Sequence, residues 1–263
     1  MAELRHARLG VLELASAAGP GHRFDKHSHD EFVISANLRG DEQVWLDGRT
    51  FEAGAGAITT YNPGQIQGGG VAGDRPWHFV SLYVTPDRLA DSLGLDTLEF
   101  ARPLRHLPAL AEALAGAVQA GLQTDPFQRE RAEERLTLLL GEVARAAGVR
   151  LPGCADAGRG PVQRLQEWLA ADLQETPDLD AMATHVGLSK FHLLRSFQQQ
   201  VGLSPRQWAM QLRTRRAQAL LRAGRPATDV AHVLGFADQS HLSRYFRAAY
   251  GISPGRFQRA LRG

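Results

Sequence analysis

Apolar residues follow two different rhythms along the chain. Through roughly the first 85 residues, Val33, Val44, Trp45, Ile58, Phe79, Leu82 and Val84 fall in short runs. Arg39-Gly40-Asp41, Asp47-Gly48, Gly54-Ala55-Gly56 and Asn62-Pro63-Gly64 break those runs with turn-forming residues. Many short strands at this spacing predict a small sandwich or barrel. After Pro86 the period becomes helical. Pro108 to Leu122 and Pro126 to Ala147 are rich in Ala, Leu, Glu and Arg, and each opens on a proline, which suits the first helical position. Gly148 to Pro161, rich in glycine and proline, reads as an interdomain linker. From Val162 onward the pattern is helical. The fold class expected is α+β: a β-barrel over residues 1–100, flanking helices over 101–147, a linker over 148–161 and an all-α domain over 162–263.

The last part contains an internal repeat. Met182 to Leu188, Ser189 to Phe197 and Gly202-Leu203-Ser204-Pro205 are echoed by Val230 to Phe236, Ala237 to Phe246 and Gly251-Ile252-Ser253-Pro254. Each copy reads as a helix-turn-helix. Ala183 or Ala231 allows a close helix approach, and Gly187 or Gly235 ends the first helix in a left-handed conformation. Leu193 and Phe197, or Leu242 and Phe246, lie four apart and face the core. Ser204-Pro205 and Ser253-Pro254 then cap and start the following helices.

The outer face of each second helix carries the candidate chemistry. In the first copy it presents Phe191, Leu194, Arg195 and Gln198, with Ser189 and Lys190 at its start. In the second it presents Ser240, Ser243, Arg244 and Arg247, with Gln239 and His241 beside them. Arginine can reach both guanine acceptors in the major groove, and short polar or apolar groups can read the other bases. A stacking repeat would not require arginine at matching exposed positions. The helix expected between the copies, Ser204 to Arg222, is about 30 Å long at ~1.5 Å per residue. That is close to the ~34 Å of one duplex turn, so it can hold two reading helices in successive grooves.

Charge sharpens this division. Residues 161–263 hold 14 Lys and Arg against 7 Asp and Glu, a net +7, whereas residues 1–160 hold 16 against 21, a net −5. A basic part joined to an acidic one places the polyanion partner, double-stranded DNA, on the former. The lone Cys154 excludes an intramolecular disulfide and a paired-cysteine zinc site. No apolar run approaches the ~20 residues of a membrane span, and Met1 to Pro20 lacks a signal-peptide pattern. A cytoplasmic protein without membrane contact is expected.

Gly235 to Phe246, followed by Gly251-Ile252-Ser253-Pro254, closely resembles the signature of the AraC/XylS family of bacterial transcription regulators. The likeness extends over residues 161–263. It implies a double helix-turn-helix domain, base-reading positions at Phe191, Leu194 and Arg195 and at Ser240, His241 and Arg244, a homodimer on paired half-sites, and activation through contact with RNA polymerase. His27-Ser28-His29-Asp30-Glu31-Phe32 and Gly54 to Gln67 resemble the cupin-like effector-binding domain common in that family, with the helices from Leu107 to Ala147 in the place of its dimer contacts.

A cupin metal site needs a later histidine where Gln67 stands, and glutamine is a poor transition-metal ligand. No metal or other cofactor is therefore expected. His27, His29, Tyr61 and Gln67, with Trp45 and Trp77 as apolar walls, are the expected lining of a small-molecule effector pocket. The alternatives are a cupin-type metalloenzyme, disfavoured by Gln67, and a ligand-independent architectural DNA protein, disfavoured by the base-facing side chains. The function expected is a non-enzymatic, effector-responsive transcription regulator.

Overall fold

The computed structural model describes residues 3–93, 95–150 and 160–262. Strands come first: β1 (Glu3–Leu9), β2 (Leu12–Pro20), β3 (Arg23–His27), β4 (Phe32–Arg39), β5 (Glu42–Leu46), β6 (Arg49–Ala53), β7 (Ala57–Tyr61), β8 (Gln67–Gly70) and β9 (Pro76–Val84). Then follow α1 (Pro86–Leu93), β10 (Glu99–Phe100), β11 (Leu104–His106), α2 (Pro108–Gly121), α3 (Pro126–Ala147) and β12 (Val149–Arg150). Three antiparallel sheets result among the described residues: one of six strands in the order β1-β2-β9-β4-β7-β11, one of four in the order β3-β8-β5-β6, and the pair β10-β12.

Strand alternation sorts the residues of the larger sheet. Leu14 on β2, Phe32 and Ile34 on β4, and Val80 and Leu82 on β9 face α2 and α3, where Leu114, Val118 and Leu136 complete the main core. The intervening positions, Val33 and Ser35 on β4 and Phe79, Ser81 and Tyr83 on β9, face the other way. α2 and α3 cover one face of β4 and β9, and the smaller, four-stranded sheet and the helical part lie across the other, so both faces are interior.

The region expected as a linker begins as structure. Val149–Arg150 pairs with Glu99–Phe100, because the extended backbone after α3 meets an unpaired strand edge there. Residues 151–159, Cys154 among them, lie outside the described residues.

The helical part comprises α4 (Pro161–Ala171), α5 (Leu179–Val186), α6 (Lys190–Val201), α7 (Pro205–Arg222), α8 (Ala227–Val233), α9 (Gln239–Tyr250) and α10 (Pro254–Arg262). It has two cores. Leu165, Met182, Leu193 and Phe197 form one, with Trp208 of α7 packed against it. Ala217 and Leu221 of α7 join Val230, Leu242, Phe246 and Phe257 in the other. One rigid helix thus carries a helix-turn-helix at each end. Phe197 and Phe246 are both 0% exposed, and burying each side chain stabilises by roughly 1.5–3 kcal/mol. The side chain of Ser204 accepts from the Gln207 amide while Gln207 reaches back to the Ser204 amide, a reciprocal cap that fixes where α7 starts.

Candidate functional site

The two candidate reading helices are α6 and α9. Ser189 caps α6 through the His192 amide, and Asp238 caps α9 through the His241 amide. Gly202 and Gly251 end them in the left-handed conformation, at φ of 73° and 69°. Between the caps, Leu193 and Phe197, or Leu242 and Phe246, are buried. Arg195, Gln198, Arg244 and Arg247 are exposed, as are Gln239 and Ser240. Leu194, at 38% exposure, protrudes instead of joining the core. The side chain of Phe191 lies outside the described residues.

Some expected contacts are engaged within the chain. Lys190 Nζ lies 2.6 Å from Asp180, an exposed pair. His241 Nδ1 accepts from the Ala237 amide at 3.2 Å, which turns the ring back over the helix start. The arginines of α7 divide into two kinds. Arg213 is buried and donates to Gln174 O at 3.0 Å and Thr176 Oγ1 at 2.8 Å. Arg215 pairs with Asp30 at 3.0 Å. Arg206 and Arg216 remain exposed.

The larger sheet's second face, the smaller sheet and the helical part enclose a cavity of about 90 Å³. That is room for several water-sized groups. His27, His29, Tyr61, Gln67 and Trp77 line it, together with Glu42 and Phe24, which the sequence reading did not select. Trp45 does not line it. On β5 the residues Glu42, Val44 and Leu46 point inward, so alternation turns Trp45 outward. There its ring receives Lys26 Nζ at 3.6 Å, and it lies where a Cβ on Gly202 would stand. His29 follows the end of β3 instead of continuing it, yet its ring sits 5.0 Å from that of His27.

Burial dominates the electrostatics of the cavity. It pushes His27 down to about 4, against a partial counter-effect from the Asp25 carbonyl, which takes the Nδ1 hydrogen bond at 2.7 Å. His29 is held well below the usual imidazole range, first by burial and then by His27 and Arg222. Both rings are therefore neutral near pH 7. Burial raises Tyr61, Tyr83 and Tyr250, so these phenols stay protonated. The Glu42 carboxyl is pushed up to about 7 by burial alone. His29 Nδ1, Gln67 Oε1 and Trp77 Nε1 are buried without a hydrogen-bond partner. Glu31, close in sequence to the histidines, pairs with Arg222 at 2.6 Å. Among the described residues no group of three His, Cys, Asp or Glu is placed to hold a metal ion.

The cavity's remaining wall comes from the helical part. Gln218 of α7, Ala249 and Tyr250 of α9, Ile252, and Phe257 of α10 close it. Polar contacts bind the two parts together around it. Tyr250 OH donates to Ser28 O at 3.3 Å, and Gln211 Nε2 donates to Ser28 Oγ at 2.8 Å. Arg222 Nε reaches Glu13 at 2.5 Å. Lys26 Nζ donates to Gly202 O at 3.0 Å, and Phe24 abuts Gly251. The C-terminal ends of both reading helices therefore rest on the sheets.

Comparison with known proteins agrees with this organisation. The family model described as AraC-like ligand binding domain matches residues 9–140, and that described as Helix-turn-helix domain matches residues 182–260. The Arabinose operon regulatory protein of Escherichia coli is 28% identical over 236 residues, covering 86% of this chain and 80% of that protein. The HTH-type transcriptional activator RhaS of Escherichia coli is 36% identical over 91 residues, covering 34% of this chain and 33% of that protein. Crystalline ToxT from Vibrio cholerae, with an unsaturated fatty acid bound, superposes over 99% of this chain and 98% of its own, with a TM-score of 0.57 and 13% identity. No helix among the described residues is long and apolar enough to cross a membrane.

Proposed function

The chain belongs to the AraC family of DNA-binding transcription regulators with an N-terminal ligand-binding domain, and we propose that a small molecule held in its interdomain cavity controls how the two helix-turn-helix units engage a promoter. The origin of the cavity walls carries this reading. Tyr250 is the last residue of α9, the helix that bears Arg244, and it faces the same space as His27 and His29. An occupant touching both walls binds the docked arrangement more tightly than an undocked one. That difference in affinity is what shifts the equilibrium. Phe24 offers a direct route, since it lines the cavity and abuts Gly251 at the end of α9.

On DNA, α6 and α9 each enter a major groove with Arg195 and Arg244 toward base edges. α7, with 18 residues, spans about 27 Å between them. Arg244→Ala is expected to weaken binding to the preferred site by on the order of 1–3 kcal/mol and to relax base preference at one position. Equal weakening on all sequences in a mobility-shift competition would make it a phosphate contact instead.

The protein acts in this reading as a cytoplasmic homodimer that activates transcription through contact with RNA polymerase, the role that the resemblance and the name of the activator RhaS support. Phe127 and Leu138, eleven residues apart on α3, are 61% and 73% exposed. Three helical turns separate them, so they share a side of the helix and offer an apolar contact to a second copy. Leu138→Glu should then shift the sedimenting species toward monomer; an unchanged sedimentation coefficient would place the contact elsewhere.

A further inference from the structure

The cavity's lining has one carboxylate and no permanent cation to meet it. Glu42 is its only carboxylate, and neither lysine nor arginine lines it. The nearby cations are committed elsewhere: Arg222 to Glu13 and Glu31, Arg215 to Asp30, and Lys26 to the outer face of Trp45 and Gly202 O. No hydrogen bond or ion pair engages Glu42 among the described residues. Gln67 Oε1, a buried acceptor without a partner, lies on the neighbouring strand, where Gln67 pairs with Leu46 at the other end of β5 from the half-buried Glu42.

The rest of the lining suits the body of an organic cation. Phe24, Trp77 and Phe79 form an aromatic cluster, with ring centroids 6.0 Å apart for Phe24–Trp77 and 4.5 Å for Trp77–Phe79. Aromatic faces attract cations, most strongly where water is excluded. An anionic occupant would instead meet the Glu42 carboxylate with no cation to neutralise it, at a large desolvation cost.

We propose that the cavity takes a small organic cation, a protonated or quaternary amine with an apolar or aromatic body, whose charge is met by Glu42. This rests on the cavity being the effector site and specifies the class of effector. Glu42, held near the midpoint of its titration by burial, ionises fully when a cation arrives beside it. The other titratable groups around the cavity are His6, His27, His29, Tyr61, Tyr83 and Tyr250. Burial keeps the three histidines below, and the three tyrosines above, their ordinary ranges. None of them carries a compensating charge near pH 7.

The test is thermal unfolding of the full chain with matched probes: phenethylamine, phenylethanol and phenylacetate; isoamylamine, isoamyl alcohol and isovalerate; and tetramethylammonium. Amines are expected to raise Tm, and their alcohol and carboxylate counterparts to have little effect. In Glu42→Gln, which keeps the side chain's size, apparent amine affinity should fall on the order of 10–100-fold, as for loss of a charge-assisted contact. A purely structural Glu42 would shift Tm of the empty protein but leave amine affinity unchanged, which would overturn the proposal. Stabilisation by alcohols or carboxylates that Ser81→Phe abolishes would also overturn the charge class, while leaving the effector cavity in place. No stabilisation by any probe would remove both.

Discussion

Arg222→Ala is expected to cost about 3–5 kcal/mol of stability, the penalty for removing one partner of a buried ionic cluster. Arg222 ends α7, and its side chain is 25% exposed. It reaches Glu13 of β2 and Glu31 just before β4, whose side chains are 11% and 6% exposed. Burial opposes the charge on Arg222, but its hydrogen bond to Glu13 and the charge of Glu31 outweigh it. Burial raises Glu31, and Arg222 is the main influence opposing that rise. Without the guanidinium, two buried carboxylates face each other uncompensated. They can relieve this only by taking up a proton or by separating the two domains. Urea unfolding followed by tryptophan fluorescence should show weaker stability and a helical domain that melts apart from the sheets. A loss under about 1 kcal/mol would assign the cluster the small worth of a solvated surface pair. Arg222→Met combined with Glu13→Gln and Glu31→Gln should recover part of the loss, because neutral groups of similar volume escape the much larger desolvation penalty of unpaired buried charges.

Glu42→Gln is expected to stabilise the ligand-free protein as pH rises. The folded-state value, about 7, lies above the ordinary 4.5. The unfolded chain therefore releases this proton first. Stability supported by protonated Glu42 is complete below about pH 4.5 and is lost as pH rises through about 7. Integrated over that window, the variant should gain about 3 kcal/mol on the native protein between the two ends. His27 runs in the opposite sense. Its folded value of about 4 lies below 6.5, so its contribution is present above 6.5 and lost as pH falls through 4. The two partly cancel in the native protein, and only the difference between native and variant isolates Glu42. A difference that stays flat between pH 4.5 and 7 would mean that Glu42 titrates as a solvated carboxylate.

Local signals in the chain were strong where the physics is local. The paired glycines, the serine-proline caps and the periodic leucines and phenylalanines placed α6, α7 and α9 and their buried faces. Pro126 and Ala147 bound α3 in the structure, as the helical period indicated. The cavity was legible only in part, because its lining depends on strand direction and on docking between domains. Trp45 was selected as a large aromatic, yet strand parity turns it outward. The same parity marks Glu42 as a charged residue in step with inward Val44 and Leu46, a signal present in the chain and not used. Tyr250 and Phe257 carried no such mark. Their place in the second core predicts burial, whereas the sheet they meet is a tertiary fact. Arg213 shows the limit for charge counting, since a basic residue on a basic helix proved buried and bonded to backbone carbonyls.

The most direct measurement is selection of bound sequences from a random duplex pool by the full chain, repeated with Arg195→Ala and Arg244→Ala. Two reading helices at the ends of one rigid helix predict, within each half-site, two preferred blocks centred about 10 base pairs apart. Each variant should then lose preference in a different block. A single block, or two variants that relax the same bases, would contradict the account.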